Sequence, residues 1–351
     1  MTIKRNYGID LLRVVFMFMV CMLHVLGQGG VLKACQEGTL KYNVFWFLEI
    51  FSYCAVDGFA MISGYMTNTD KPQKYEKIIQ MWFQVFFYSC IITLLLTIVG
   101  VNENLSKLVI VKSAFPVMNQ AYWYFTAYFG LFFLIPFCNK FIFTVDELSA
   151  RKLLVILIFV FTFIGVYSDP FRTKNGYSLI WLLVLYCIGG LAKRSKLFET
   201  KKSSTLIILW ALCIIFTWTA KCFAGNKKFV SYISPTILCS ALIMIVLFSR
   251  LNLKGTIIKK ISPLAFGIYL FQLNPIVWTK VIKGAFSDIP SQNVVIGVLY
   301  AFGSALAIFA SGLLVEFIRS IIEKKLKISY ISNRIGVLID KCLSKVIGLL
   351  K

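Results

Sequence analysis

Arg13 and His24 stand eleven positions apart in an otherwise apolar run near the N-terminus, YGIDLLRVVFMFMVCMLHVLG, and His24 is the chain's single histidine. At 100° per residue, eleven residues fall within about 20° of whole turns, so on a helix both side chains leave one face, ~16 Å apart along the axis. Asp10, three residues before Arg13, shares that face. A cation followed by an imidazole that titrates near neutrality makes a polar stripe suited to proton transfer, with His24 as base or nucleophile. Ionisable groups at membrane depth cost several kcal/mol unless they are paired or line a wet cavity. A plainer arrangement stands beside this one. Asp10 and Arg13 form an i,i+3 pair, Arg13 reaches for the interface, and His24 bonds a neighbouring helix.

Four other stretches carry side chains able to work with that stripe. In NVFWFLEIFSYCAVDGFAMISGYM, Glu49 lies at a depth close to that of His24, where a carboxylate orients an imidazole, and Asp57 lies mid-run as a partner for Arg13. Gly64 near its end permits close helix packing. In KPQKYEK, Lys74 and Lys77 form a basic pair one turn apart; it suits a phosphate-rich ligand, or is ordinary loop charge. In QAYWYFTAY, Trp123 and Tyr124 serve an interfacial aromatic belt or a carbohydrate-binding cleft. In ISPLAFGIYLFQLNP, Tyr269, Gln272 and Asn274 either line a polar cavity or bond neighbouring helices.

Elements able to position these residues follow from composition. The chain has 351 residues, 59% of them hydrophobic and 15% charged. Runs of 18 or more mostly apolar residues are long enough to cross ~30 Å of hydrocarbon. They are continuous rather than alternating, which excludes a membrane β-barrel. The reading is an all-α membrane protein with about ten transmembrane helices, near 8–27, 43–66, 78–100, 121–139, 152–168, 177–193, 204–224, 232–250, 261–282 and 293–321. A domain over 1–321 is thereby separated from a cytoplasmic tail over 322–351. The net charge of +22 does not indicate nucleic acid, because the basic residues lie in short loops. On alternating sides, 25 Lys and Arg face 11, so both termini are expected in the cytoplasm. In the tail, Ile328, Ile331, Ile335, Leu338, Cys342 and Val346 recur at helical spacing, with Lys327, Arg334 and Lys341 on another face. That pattern is a basic amphipathic helix, lying on the anionic inner leaflet or packed beneath the bundle. The ten cysteines fall mostly in apolar runs without a CxxC pair, so they read as packing residues and no metal site is expected; a Cys35–Cys222 bridge is the alternative use of two of them. No cleavable signal peptide is expected.

In this order the motifs resemble the acyltransferase-3 family of polytopic membrane acyltransferases, which includes bacterial O-acetyltransferases of surface polysaccharides. The most specific element is an Arg, ten residues, then His, matched by Arg13 and His24. YGIDLLR around Asp10, VDGFAMISGYM, the Lys74–Lys77 pair, WYFTAYFGLFFLIP, ISPLAFGIYL and Glu316 are similar to family segments in sequence. Two positions depart: members often carry histidine after the YL of the ninth run, where this chain has Phe271 and Gln272, and the basic pair is lysine rather than arginine.

The resemblance implies an integral protein of the bacterial plasma membrane that passes an acetyl group from cytoplasmic acetyl-CoA to a hydroxyl of an extracytoplasmic cell-surface glycan such as exopolysaccharide. Arg13, Lys74 and Lys77 would hold the acyl-CoA, while His24 serves as general base or acyl carrier with Glu49 beside it. Asp10, Asp57, Trp123, Tyr124, Tyr269 and Gln272 would line the cavity or meet the acceptor. Partners would be acyl-CoA, glycan and membrane lipid, with no nucleic acid. The competing reading is a transporter or flippase of lipid-linked glycan.

Overall fold

The fold is seen in a computed structural model that describes residues 5–67, 74–101 and 107–349. Helices make up 79% of it, with no strand among the described residues. They are, in chain order, α1 (Tyr7–Ala34), α2 (Leu40–Tyr65), α3 (Tyr75–Ile98), the short α4 (Lys107–Ala114), α5 (Trp123–Thr144), α6 (Glu147–Ser168), α7 (Leu179–Arg194), α8 (Ser203–Cys222), α9 (Pro235–Ser249), α10 (Thr256–Gln272), α11 (Pro275–Ile282), α12 (Val294–Lys325) and α13 (Ile328–Leu349).

Short polar residues set the helix starts by accepting an N–H from the first turn: Asn6 from Ile9 (3.0 Å), Thr39 from Tyr42 (3.3 Å), Asp146 from Ser149 (2.8 Å), Ser178 from Trp181 (3.1 Å) and Asn293 from Ile296 (2.9 Å). In a membrane this matters more than in water, because free N–H groups at a helix end find few other partners.

Among the described residues, seven helices are long and apolar enough to cross a membrane, or eight if α10 and α11, bent by 60°, form one broken span. The expected count of ten is therefore not reached by length. The differences lie at α7, with 16 residues, and α9, with 15, which rise only ~24 and ~22 Å. Both are mostly buried in the bundle, so packing rather than lipid thickness sets their length. At the α2–α7 crossing, a Cβ on Gly64 would sit 1.9 Å from the Tyr186 carbonyl oxygen and one on Gly189 2.1 Å from that of Met61. Glycine is required there for the backbones to approach, as small residues commonly allow in membrane bundles.

α1 and α2 form the centre: 67% and 61% of their apolar windows are buried, against 22% for α6, α8 and α12. The outer helices instead expose rows such as Val155, Phe159 and Phe163 on α6 or Leu299, Leu306 and Leu314 on α12, an apolar surface suited to lipid. Two ends are defined by hydrogen bonds. Asn6 Nδ2 donates to Ser249 O (2.8 Å) and the Tyr65 and Ser249 hydroxyls meet (3.3 Å), which gathers the starts of α1 and the ends of α2 and α9. At the opposite end Gly284 N–H donates to Gln28 O (3.0 Å) and Lys41 Nζ to Pro290 O (2.7 Å).

The tail helix α13 packs against the start of α3. Gly336 faces the backbone of Tyr75 and Glu76, and Ser332 is buried with it. The buried side therefore carries small residues, while Ile331, Leu338 and Val346 stay exposed. All ten cysteines, Cys35 and Cys222 included, are free thiols.

Candidate functional site

His24 begins a wide π-helical turn, His24–Gln28, within α1. Such turns insert one residue into the helical ladder and recur at functional sites. His24 Nδ1 lies 2.9 Å from Gln272 Oε1 on α10. An amide oxygen only accepts, so Nδ1 carries the proton and Nε2 keeps its lone pair. Nε2 has no partner among the described residues, and the His24 ring meets Trp278 edge-on at 5.1 Å. Gln272 is itself fully buried and its amide nitrogen reaches Met17 Sδ (3.8 Å). The imidazole is thus held in the tautomer a general base needs.

Arg13 sits toward the other end of the same helix. Its guanidinium donates to Asp10 Oδ1 (2.8 Å), and Asp10 also accepts from Arg5 and from the Ser262 hydroxyl (3.3 Å). Asp10 is 3% exposed, whereas the Arg13 side chain is 33% exposed, so the carboxylate anchors the cation from behind and leaves the rest of its fork open.

Two expected pairings are not made. Glu49 does not orient His24; Gln272 does. Glu49 is buried beside Gly27, where a Cβ would come 3.4 Å from its Oε1, and its Oε2 has no hydrogen-bond partner among the described residues. Asp57 does not pair with Arg13; it accepts from Trp181 Nε1 on α7 (2.9 Å). In both cases the partner comes from a third helix: Gln272 on α10 takes His24, and Trp181 on α7 takes Asp57.

A single cavity of about 550 Å³ joins the two halves of the α1 stripe. Arg13, Ser63, Met81 and Ser262 line it toward one end, and His24, Gly27, Gln28 and Glu49 toward the other. Trp123, Tyr124 and Tyr269 also line it; Asp10, Asp57 and Gln272 stand behind its wall. The Tyr269 hydroxyl accepts from Tyr124 N–H (3.2 Å) and ties the start of α5 to α10. Lys74 and Lys77 are exposed and do not line the cavity, but Lys77 is one turn before Met81, which does. The Lys71–Gln73 part of the basic stretch lies outside the described residues.

Sequence reading missed an aromatic wall: Trp123 and Tyr177 (4.6 Å between rings), Tyr177 and Tyr232 (5.2 Å), Tyr232 and Tyr53 (4.7 Å). All four line the cavity. Tyr177 and Tyr232 come from loops, which carry no periodic signal. The first of these loops is held by Asp169. Burial works against ionisation of its carboxyl, but hydrogen bonds from the Thr173 hydroxyl and from the Thr173 and Asn175 N–H groups outweigh it and keep it below the ordinary carboxylate range. The broken span is also polar at its joint. Asn274 caps α11, accepting from Ile276 N–H (3.0 Å), and its amide donates to the Tyr88 carbonyl (2.8 Å) and Thr93 hydroxyl (3.0 Å).

Glu316 on α12 is the hub of a second buried network. It accepts from Arg319 Nε and Nη2 (2.8 Å each), Gln84 Nε2 (3.0 Å) and the Tyr88 hydroxyl (2.9 Å), and Arg319 Nη1 continues to Glu323 (2.7 Å). It straps α3 to α12, with Gly267 of α10 pressed against the carboxylate.

A family model described as an acyltransferase domain matches residues 6–315, nearly the whole described bundle. No curated protein and no solved structure matches the chain.

Proposed function

Because the chain belongs to the acyltransferase-3 family, whose model covers residues 6–315, we propose that this multi-pass membrane protein carries an acetyl group from cytoplasmic acetyl-CoA to a hydroxyl of an extracytoplasmic cell-surface glycan. The observation that carries the reading is the one cavity with Arg13 toward one end and His24 with Glu49 toward the other. Arg13, backed by Asp10, takes a phosphate or carbonyl of the donor, and Lys74 and Lys77 draw its phosphates toward the mouth. The apolar stretch between, with Met17, Val20 and Leu23 on its wall, suits an uncharged pantetheine arm.

At the other end, His24 Nε2 takes the proton of the acceptor hydroxyl as its oxygen attacks the thioester carbonyl. The carbon–sulfur bond breaks, the coenzyme thiolate leaves, and the imidazolium returns the proton to it. The Gln272 oxygen holds Nδ1–H throughout and favours the charge that develops on the ring. Glu49 hydrogen-bonds the acceptor, and Trp123, Tyr124 and Tyr269 give the sugar ring aromatic and hydroxyl surface.

Membranes incubated with radiolabelled acetyl-CoA test this. Wild type should label polymer, while His24→Ala, still present in the membrane, should lose at least about a hundredfold, the scale of a general base. Undiminished transfer by that variant overturns the proposal. A transporter of lipid-linked glycan is the second reading, favoured by the 60° break between α10 and α11, since transporters build sites at discontinuous helices. Glycan movement with no acetyl-CoA-dependent label would select it.

A further inference from the structure

A second cavity of about 500 Å³ opens at the end of the bundle that holds Lys33, Lys41 and the last turn of α8. Lys33, Tyr42, Trp46, Lys221 and Lys227 line it, with Glu37 at its edge. Glu49 and Tyr53 line this cavity and the main one alike, so the two share a common wall.

Lys221 is the unusual member. A lysine in the last turn of a spanning helix ordinarily extends its ammonium to water. Here Lys221 is 4% exposed. Its Nζ donates to the Tyr42 hydroxyl (2.6 Å) and lies over the Trp46 ring at 4.4 Å and the Tyr42 ring at 5.2 Å. It makes no ion pair among the described residues; the Tyr42 hydroxyl passes its own proton toward Glu37, which is exposed (3.3 Å). Ring faces offset part of the cost of burying a cation, but an unpaired ammonium still lacks its anion. Two further lysines, Lys33 and Lys227, are exposed at the rim, and among the described residues the carboxylates on the wall are Glu37 and Glu49.

We propose that this vestibule binds an acidic saccharide, its carboxylate or phosphate on Lys221 between the rim lysines and its ring against Tyr42 and Tyr53. A hydroxyl of the same sugar then reaches Glu49 and, past it, the cavity of His24. The proposal rests on the acyltransferase reading for what happens to that hydroxyl. It adds what that reading leaves open, the charge class of the acceptor and the route by which it enters.

Purified full-length protein in phosphatidylcholine nanodiscs is titrated by thermophoresis with trigalacturonic acid, glucose 1-phosphate and uncharged maltotriose. At least one acid should bind about tenfold tighter than maltotriose, equivalent to about 1.4 kcal/mol. Which acid binds separates a carboxylate from a phosphate source. The preference should shrink to about threefold or less in Lys221→Met, and also in the double variant Lys33→Gln/Lys227→Gln, whose exposed side chains keep the test open if Lys221→Met fails to fold. Equal affinity for all three sugars, or a preference undiminished in the folded variants, overturns the proposal. Loss of the preference in phosphatidylglycerol nanodiscs assigns the cavity to a lipid headgroup and overturns it as well. No acetyl-CoA enters this measurement. Lost label transfer with the preference intact would fault the acyltransfer reading, whereas label transfer with no preference would fault this site alone.

Discussion

His24 and Gln272 are 248 positions apart in the chain, yet their hydrogen bond decides which imidazole nitrogen can act as base. A histidine after the YL motif could have shared protons with His24; an amide can only orient it. Gln272 is therefore a positioning residue, and Gln272→Leu, similar in bulk, tests it. With Nδ1–H unbound the ring loses its preferred tautomer. kcat should fall about 10- to 100-fold, as for other residues that orient a functional imidazole, while KM for acetyl-CoA stays near the wild-type value. A rise in KM with kcat preserved would assign Gln272 to the cavity's shape instead. Asp10 holds the corresponding place behind Arg13, buried and accepting from Arg5, Arg13 and Ser262.

At the scale of helices, the bundle is tied by close backbone crossings and by buried polar hubs. The Glu316 carboxylate binds groups from α3 and α12 and packs on Gly267 of α10, the helix that also delivers Gln272 and Tyr269. Removing one partner of a buried ion pair costs about 3–5 kcal/mol, because the other charge is left in a poor solvent. Glu316→Ala should lie near the lower end, about 3 kcal/mol, since Arg319 keeps Glu323. A fall in thermal midpoint of the detergent-purified protein measures it, and restoration by the added change Arg319→Met would show that the stranded cation is the cause. The breadth of the apolar runs identifies these helices, but α7 and α9, with 16 and 15 residues, fall short of spanning length. A continuous run does not say whether lipid or protein covers it, and both helices are covered by protein.

At the scale of the whole molecule, the two ends carry unequal charge, and the gathering of Asn6, Tyr65 and Ser249 at one end fixes which loops lie together. The positive-inside bias then predicts that α13 lies on the cytoplasmic side. Cys342, exposed on α13, reports this directly. In cells, a membrane-impermeant maleimide should label it only after permeabilisation, with Cys342→Ser as the blank; equal labelling of intact cells would reverse the orientation. The small-residue side of α13 is used against α3, which leaves its apolar and basic residues free for the leaflet.

By itself the sequence determined the solvent of this protein, its helical class and the α1 stripe, because hydropathy and the 3.6-residue period are local properties that survive without a fold. Arg13, His24, Glu49, Trp123, Tyr124 and Tyr269 were legible as polar or amphipathic groups at suitable depth, and all six line one cavity. What only the tertiary structure decided was pairing. Gln272 rather than Glu49 holds His24, Trp181 rather than Arg13 holds Asp57, and Lys221 is buried against Tyr42 and Trp46. A buried polar group takes whichever partner the packing of remote helices brings within about 3 Å, and no spacing along one helix encodes that choice.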